Sequence, residues 1–128
     1  MAKQTTEGVS ITVETLFQEE HSKLIGSEYF FSYKITIHNS SEFPIQLLSR
    51  FWNIVDSNGQ FRFVEGQGVV GKQPIIEPGD SYQYVSGVDL QTEIGKMYGE
   101  FRMENKFNKR LFTVNIPEFK LITPFKLN

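Results

Sequence analysis

The sequence predicts an all-β chain, an antiparallel β-sandwich of about seven or eight strands. Three observations lead there. Apolar residues recur with period two far more often than with helical spacing, and short clusters of turn-forming residues punctuate the chain. Its 12 Phe, five Tyr and one Trp supply large side chains for a core between two sheets.

The elements follow in order. Residues 1–8 are polar and read as a flexible N-terminal segment. Val9, Ile11, Val13 and Phe17 face one way while Ser10, Thr12, Glu14 and Gln18 face the other, as in a strand with one buried face. The next strand repeats the pattern: Tyr29, Phe31, Tyr33, Ile35 and Ile37 alternate with Ser32, Lys34, Thr36 and His38 until Asn39-Ser40-Ser41 turns the chain. Further strands are expected at Ile45–Asp56, Gln60–Glu65, Ser81–Ser86, Met97–Glu104 and Arg110–Ile116, with a last extended piece at Phe119–Ile122. The separators Asp56-Ser57-Asn58-Gly59, Glu77-Pro78-Gly79-Asp80 and Asn105–Lys109 carry turn chemistry. Val88–Gly95 is the one place for a short helical turn, crossing between the two sheets. The domain therefore spans residues 9–122, followed by a tail at 123–128.

Composition narrows the function. A chain of 128 residues forms one domain with one core. Thirteen basic against 15 acidic residues, a net charge of −2, give no general attraction to nucleic acid or an anionic membrane. The absence of cysteine removes disulfides, thiolate nucleophiles and zinc–cysteine sites. No stretch reaches the roughly 20 apolar residues of a membrane span, and the first eight residues lack a signal-like apolar run, so the expected location is the cytoplasm.

Gly66-Gln67-Gly68-Val69-Val70-Gly71 has the spacing that lets a backbone approach a pyrophosphate. In a dinucleotide-binding unit the third glycine lies in a helix, but here Pro74 and the Pro78-Gly79 turn leave no room for one. The glycines form a loop between strands, with two readings. One is structural, glycines permitting positive φ and close packing. The other is an anion nest in which Gly66, Gly68 and Gly71 offer free amides and Arg50, Arg62 or Lys72 supplies charge. Catalytic readings have less to stand on. The histidines are His21, in the polar loop Glu19-Glu20-His21, and His38, at a strand end; neither gathers the convergent ligands of a metal site. Asp80 and Asp89 are candidates for paired acid–base carboxylates, and Ser49 and Ser86 for nucleophiles, without a placeable histidine partner. No cofactor is expected. Trp52 reads as core.

An ordered set of residues is more specific than any one of these. Leu48-Ser49-Arg50-Phe51-Trp52 precedes the glycine loop, Gln73-Pro74 and Pro78-Gly79 follow it, and then come Tyr84, Ser86-Gly87, Leu90-x-Thr92, Gly95-x-Met97-x-Gly99-x-Phe101 and Ile116-Pro117-x-Phe119. In this the chain resembles the ApaG family over about Val9 to Ile122. The resemblance implies a fibronectin type III-like (immunoglobulin-like) sandwich. It also implies kinship with bacterial proteins associated with cobalt and magnesium resistance, with neighbours in diadenosine tetraphosphate metabolism, and with domains of eukaryotic F-box and polymerase-associated proteins. Many members have His at the position of Phe51, Glu at that of Lys72 and Cys-Pro at Val88-Asp89. The expected activity is that of a non-catalytic module for a protein partner; the alternative is weak binding of a phosphate-containing ligand, such as pyrophosphate or a dinucleoside polyphosphate, at the glycine loop.

Overall fold

The computed structural model describes residues 1–18 and 29–124. Among them the chain forms β1 (Ala2–Thr6), β2 (Val9–Phe17), β3 (Tyr29–Asn39), β4 (Ile45–Asp56), β5 (Phe61–Gln67), β6 (Ile75–Ile76), β7 (Ser81–Leu90), β8 (Ile94–Asn105) and β9 (Leu111–Ile122). One sheet has the order β1-β2-β3-β7; the other runs β5-β4-β8-β9, with the short β6 also paired to β4. The fold is the expected antiparallel sandwich. Alternation dictates its core: Ile11 lies opposite Ile37 and Val13 opposite Ile35, and all four side chains are buried. Each such burial contributes about 1.5–3 kcal/mol.

Four local expectations are corrected. Residues 1–8 are not a loose lead-in, because β1 pairs with β2 from Ala2–Val13 to Thr6–Val9. Glu7 and Gly8, at φ of 49° and 80°, close that hairpin with the positive-φ turn that tight antiparallel hairpins favour. No helical turn forms in Val88–Gly95; β7 continues to Leu90 and β8 begins at Ile94, although the connection does pass from one sheet to the other. The pieces expected at Arg110–Ile116 and Phe119–Ile122 are one strand, β9, which begins at Leu111 and whose pairing with β8 is irregular opposite Met97–Gly99. Thr123, placed in a tail, is buried with its N–H donating to the Glu93 carbonyl at 3.1 Å.

A bulge in β4 positions the site. The register with β8 shifts between Leu47 and Ser49, leaving Leu48 as the extra residue. Ile45 and Leu47 face the core before it; Trp52 and Ile54 face the core after it. The phase of the strand is therefore inverted, which turns Arg50 and Trp52 inward and Phe51 outward.

Asn39, at the end of β3, holds the neighbouring turns. Fully buried, it donates from Nδ2 to the carbonyls of Phe43 (2.8 Å) and Ile76 (2.9 Å). Its Oδ1 accepts from the N–H and hydroxyl of Ser41 at 2.9 and 2.6 Å. Every hydrogen-bonding position of the amide is thus used. Asn39→Asp places a carboxylate oxygen against two carbonyls. It is expected to lower stability more than Asn39→Ala, whose own cost is about 1–3 kcal/mol. Urea unfolding of the two variants checks this order.

Candidate functional site

The glycine segment is a turn. Gly68 donates its N–H to the Leu48 carbonyl at 2.8 Å, and Val69 and Lys72 exchange backbone bonds of 2.8 and 3.0 Å. Between them Val70 and Gly71 have φ of 48° and 76°, the positive pair of a two-residue primed hairpin turn. Gly68 itself stands at φ 63°, and a Cβ there would collide with the Lys72 carbonyl. The amides of Gly68, Val69 and Lys72 are therefore engaged by the backbone, and the tip presents those of Val70 and Gly71.

Arg50 meets this loop from the inner face of the second sheet. Its Nη1 donates to the carbonyl oxygens of Gly68 (2.8 Å) and Gln67 (3.2 Å). Gly66 gives it room, since a Cβ there would press on the guanidinium at 2.9 Å. The structure thus brings together Arg50, Gly66 and Gly68, while Lys72 and Gly71 lie exposed farther along the loop. The contact is with acceptors, so the guanidinium secures the loop's carbonyl side. Arg62 turns to Asp89 instead, pairing with it (Nη1–Oδ1 3.5 Å) and donating to the Asp89 carbonyl.

The remaining candidates separate. Asp80 and Asp89 flank opposite ends of β7, roughly 30 Å apart at about 3.3 Å per residue, so they share no cleft. His38 bonds the Ser81 hydroxyl through Nδ1 at 2.7 Å on the surface. Glu19, Glu20 and His21 lie outside the described residues, among which no three His, Asp or Glu side chains converge.

Two features escaped the sequence. Trp52 is core, as expected, at 2% exposure, but it sits beside Tyr33 in edge-to-face contact (5.5 Å) within a polar pocket. Tyr33 bonds Ser86, yet burial raises its pKa, against the opposing effect of that bond and of Arg50. Tyr84 is raised further by burial and by Tyr33, with Arg50 again opposing. The second feature is the orientation of β5. Not every Phe joins the core: Phe61 and Phe63 are 56% and 54% exposed on the outer face, because their partners Val55 and Asn53 also point outward. Phe63 lies 6.3 Å from the Phe51 ring, which Arg102 covers at 5.3 Å.

The turn geometry has a measurable consequence. Val70 is a β-branched residue in the left-handed region, a conformation costing of the order of 1–3 kcal/mol. Val70→Asn is expected to raise stability and Gly68→Ala to lower it by about 1–3 kcal/mol. Thermal and urea unfolding of both variants measure the two signs.

Comparison with known proteins agrees with the sequence resemblance. The model of the ApaG domain family matches residues 19–105. Protein ApaG of Agrobacterium fabrum is 43% identical over 124 residues, covering 97% of this chain and 95% of that protein. A crystal structure from Bordetella pertussis, described as an ApaA protein, superposes with a TM-score of 0.86 at 36% identity, covering 91% of this chain and 94% of that one. An X-ray structure of a structural-genomics target superposes at 0.88 with 38% identity, covering 98% and 94% of the two chains. The chain belongs to the ApaG family.

Proposed function

We propose that the chain is a non-catalytic interaction module that takes an extended segment of a protein partner as an added strand along β5. One observation carries this reading: among the described residues β5 is an edge strand with exposed aromatic side chains and an open row of backbone groups. The bonds Asp56 N–H to Gln60 O (2.9 Å) and Gly68 N–H to Leu48 O (2.8 Å) bracket the β4–β5 ladder. By antiparallel alternation the even positions of β5 bond β4, and the N–H and C=O groups of Phe61, Phe63 and Glu65 point away from the sheet. Such an edge is a template for strand addition; main-chain bonds supply affinity, and the half-exposed Phe61 and Phe63 supply side-chain contact.

The phosphate-loop reading has less support, because most of the loop amides are already engaged and Arg50 faces carbonyl oxygens. The partner is a protein rather than nucleic acid or membrane, in keeping with a net charge of −2. Among the described residues no helix is long and apolar enough to cross a membrane. We place the module in the cytoplasm, in keeping with a chain that has no cysteine. A role in cobalt and magnesium resistance, implied by family resemblance, acts through the bound partner in this reading.

Affinity capture from native cell extract tests the proposal. Glu65→Pro removes an outward N–H without breaking a ladder bond, and Phe63→Ser removes an exposed ring. A partner retained by the wild-type chain is expected to be lost, at least about tenfold, by both variants while their folds persist by circular dichroism. Undiminished capture by both, or no partner at all, contradicts strand addition at β5.

A further inference from the structure

We propose that the cavity between the sheets bounded by Arg50, Tyr33 and Trp52 binds a small oxyanion, the carboxylate or phosphate group of a small molecule. This site is distinct from the glycine turn and independent of strand addition at β5.

The cavity opens on the side of the sandwich where the edge strands β5 and β7 face each other. It measures about 230 Å³, with Ile54 and Val64 among its apolar walls and Ser86 beside Tyr33. That is smaller than the roughly 300–1,000 Å³ of sites for drug-sized ligands, and several times the share of about 30 Å³ that one water occupies in the liquid. An acetate-sized or phosphate-sized group fits; a nucleotide does not.

Its polar residues include Asp89, which pairs with Arg62, and several donors. The Trp52 indole and the Arg50 guanidinium can only donate. Among the described residues, Trp52 Nε1 and Tyr84 Oη are buried without a protein partner. Burial keeps the Tyr33 phenol of the cavity wall protonated, hence able to donate, at neutral pH. Buried donors ordinarily find acceptors, so the unmatched Trp52 Nε1 on the cavity wall calls for an acceptor-rich occupant.

Charge selects an anion over a neutral acceptor. Arg50 has no carboxylate within ion-pair distance among the described residues; its protein acceptors are the carbonyls of Gln67 and Gly68, which leave its positive charge uncompensated. The other guanidinium at the cavity, Arg62, is paired with Asp89. Beside the Arg62–Asp89 pair the site therefore offers one planar cation without a carboxylate partner, Arg50, with the donors of Trp52 and Tyr33, the arrangement that recognises a carboxylate or phosphate oxygen pair.

Trp52 is the sole tryptophan, so one indole N–H signal reports on the cavity. The full 15N-labelled chain is titrated with sodium acetate and, separately, with inorganic phosphate, each against sodium chloride at equal ionic strength. The expected result is a saturable shift of the Trp52 indole N–H, half-complete near or below about 1 mM, for acetate or phosphate and not for chloride. Acetate alone acting identifies a carboxylate ligand, and phosphate alone a phosphate ligand; either supports the site. Arg50→Lys should weaken binding at least about tenfold, as expected when a planar fork is replaced by a point charge. Because that change also loosens the hold on Gln67 and Gly68, Tyr33→Phe is the second variant. It removes a phenol of the cavity wall, and binding should weaken severalfold while circular dichroism checks that the fold is kept. Four results overturn the proposal: no saturable shift, an equal response to chloride, a response undiminished in both variants, or shifts confined to the Val70 and Gly71 amides. The last would place any anion on the loop surface and leave the cavity to water.

Discussion

The paired hydrogen bonds from Arg50 Nη1 to the carbonyls of Gln67 and Gly68 determine what this end of the molecule can do. They tie the inward face of β4 to the exit of β5 and hold the glycine turn by its acceptors. The guanidinium reaches those carbonyls only because Gly66 lacks a side chain and because the Leu48 bulge has turned Arg50 inward. The same bulge turns Phe51 outward toward Phe63. One inserted residue thus sets the character of both faces of this part of the sheet.

A charged side chain facing the interior is costly unless its donors are matched. Here two backbone carbonyls match part of the Arg50 fork, and the Trp52 indole beside it contributes a further donor without a protein acceptor. The imbalance lies at the open side of the sandwich, where β5 and β7 are both edges. On the opposite side the sheets end in β1 and β9, and the Thr6 hydroxyl accepts from the Asn115 N–H at 3.3 Å. The exposed rings of Phe61 and Phe63, the outward main-chain row of β5 and the Arg50 guanidinium therefore fall on one side of the molecule.

The sandwich was legible because period two is a local signal. Ile35 and Ile37 announce their burial through neighbours two residues away, and β3 folds as the alternation says. The glycine spacing excluded a helix for an equally local reason, Pro74, and the segment is a turn. What stayed hidden depends on partners distant in sequence. Polar β1 carries no alternation and is a strand because β2 supplies its pairing. Asn39 reads as a turn residue, yet its buried partner Ile76 is 37 residues away. Phe61 and Phe63 look like core until the register with Val55 and Asn53 directs them outward. Tyr33 and Trp52 count as core aromatics until two separate strands bring them to one cavity with Arg50.

Residue-resolved amide hydrogen exchange on the intact chain tests the central claim, that the glycine turn is closed by its own backbone while the β5 edge is open. The account predicts slow exchange at Gly68, Val69 and Lys72 and at the ladder-bonded Arg62 and Val64, with fast exchange at Phe61, Phe63 and Glu65 and at the turn tip, Val70 and Gly71. Protection of Phe61, Phe63 and Glu65 together with fast exchange at Gly68 and Val69 would contradict it, because the loop amides would then be free and the edge already covered.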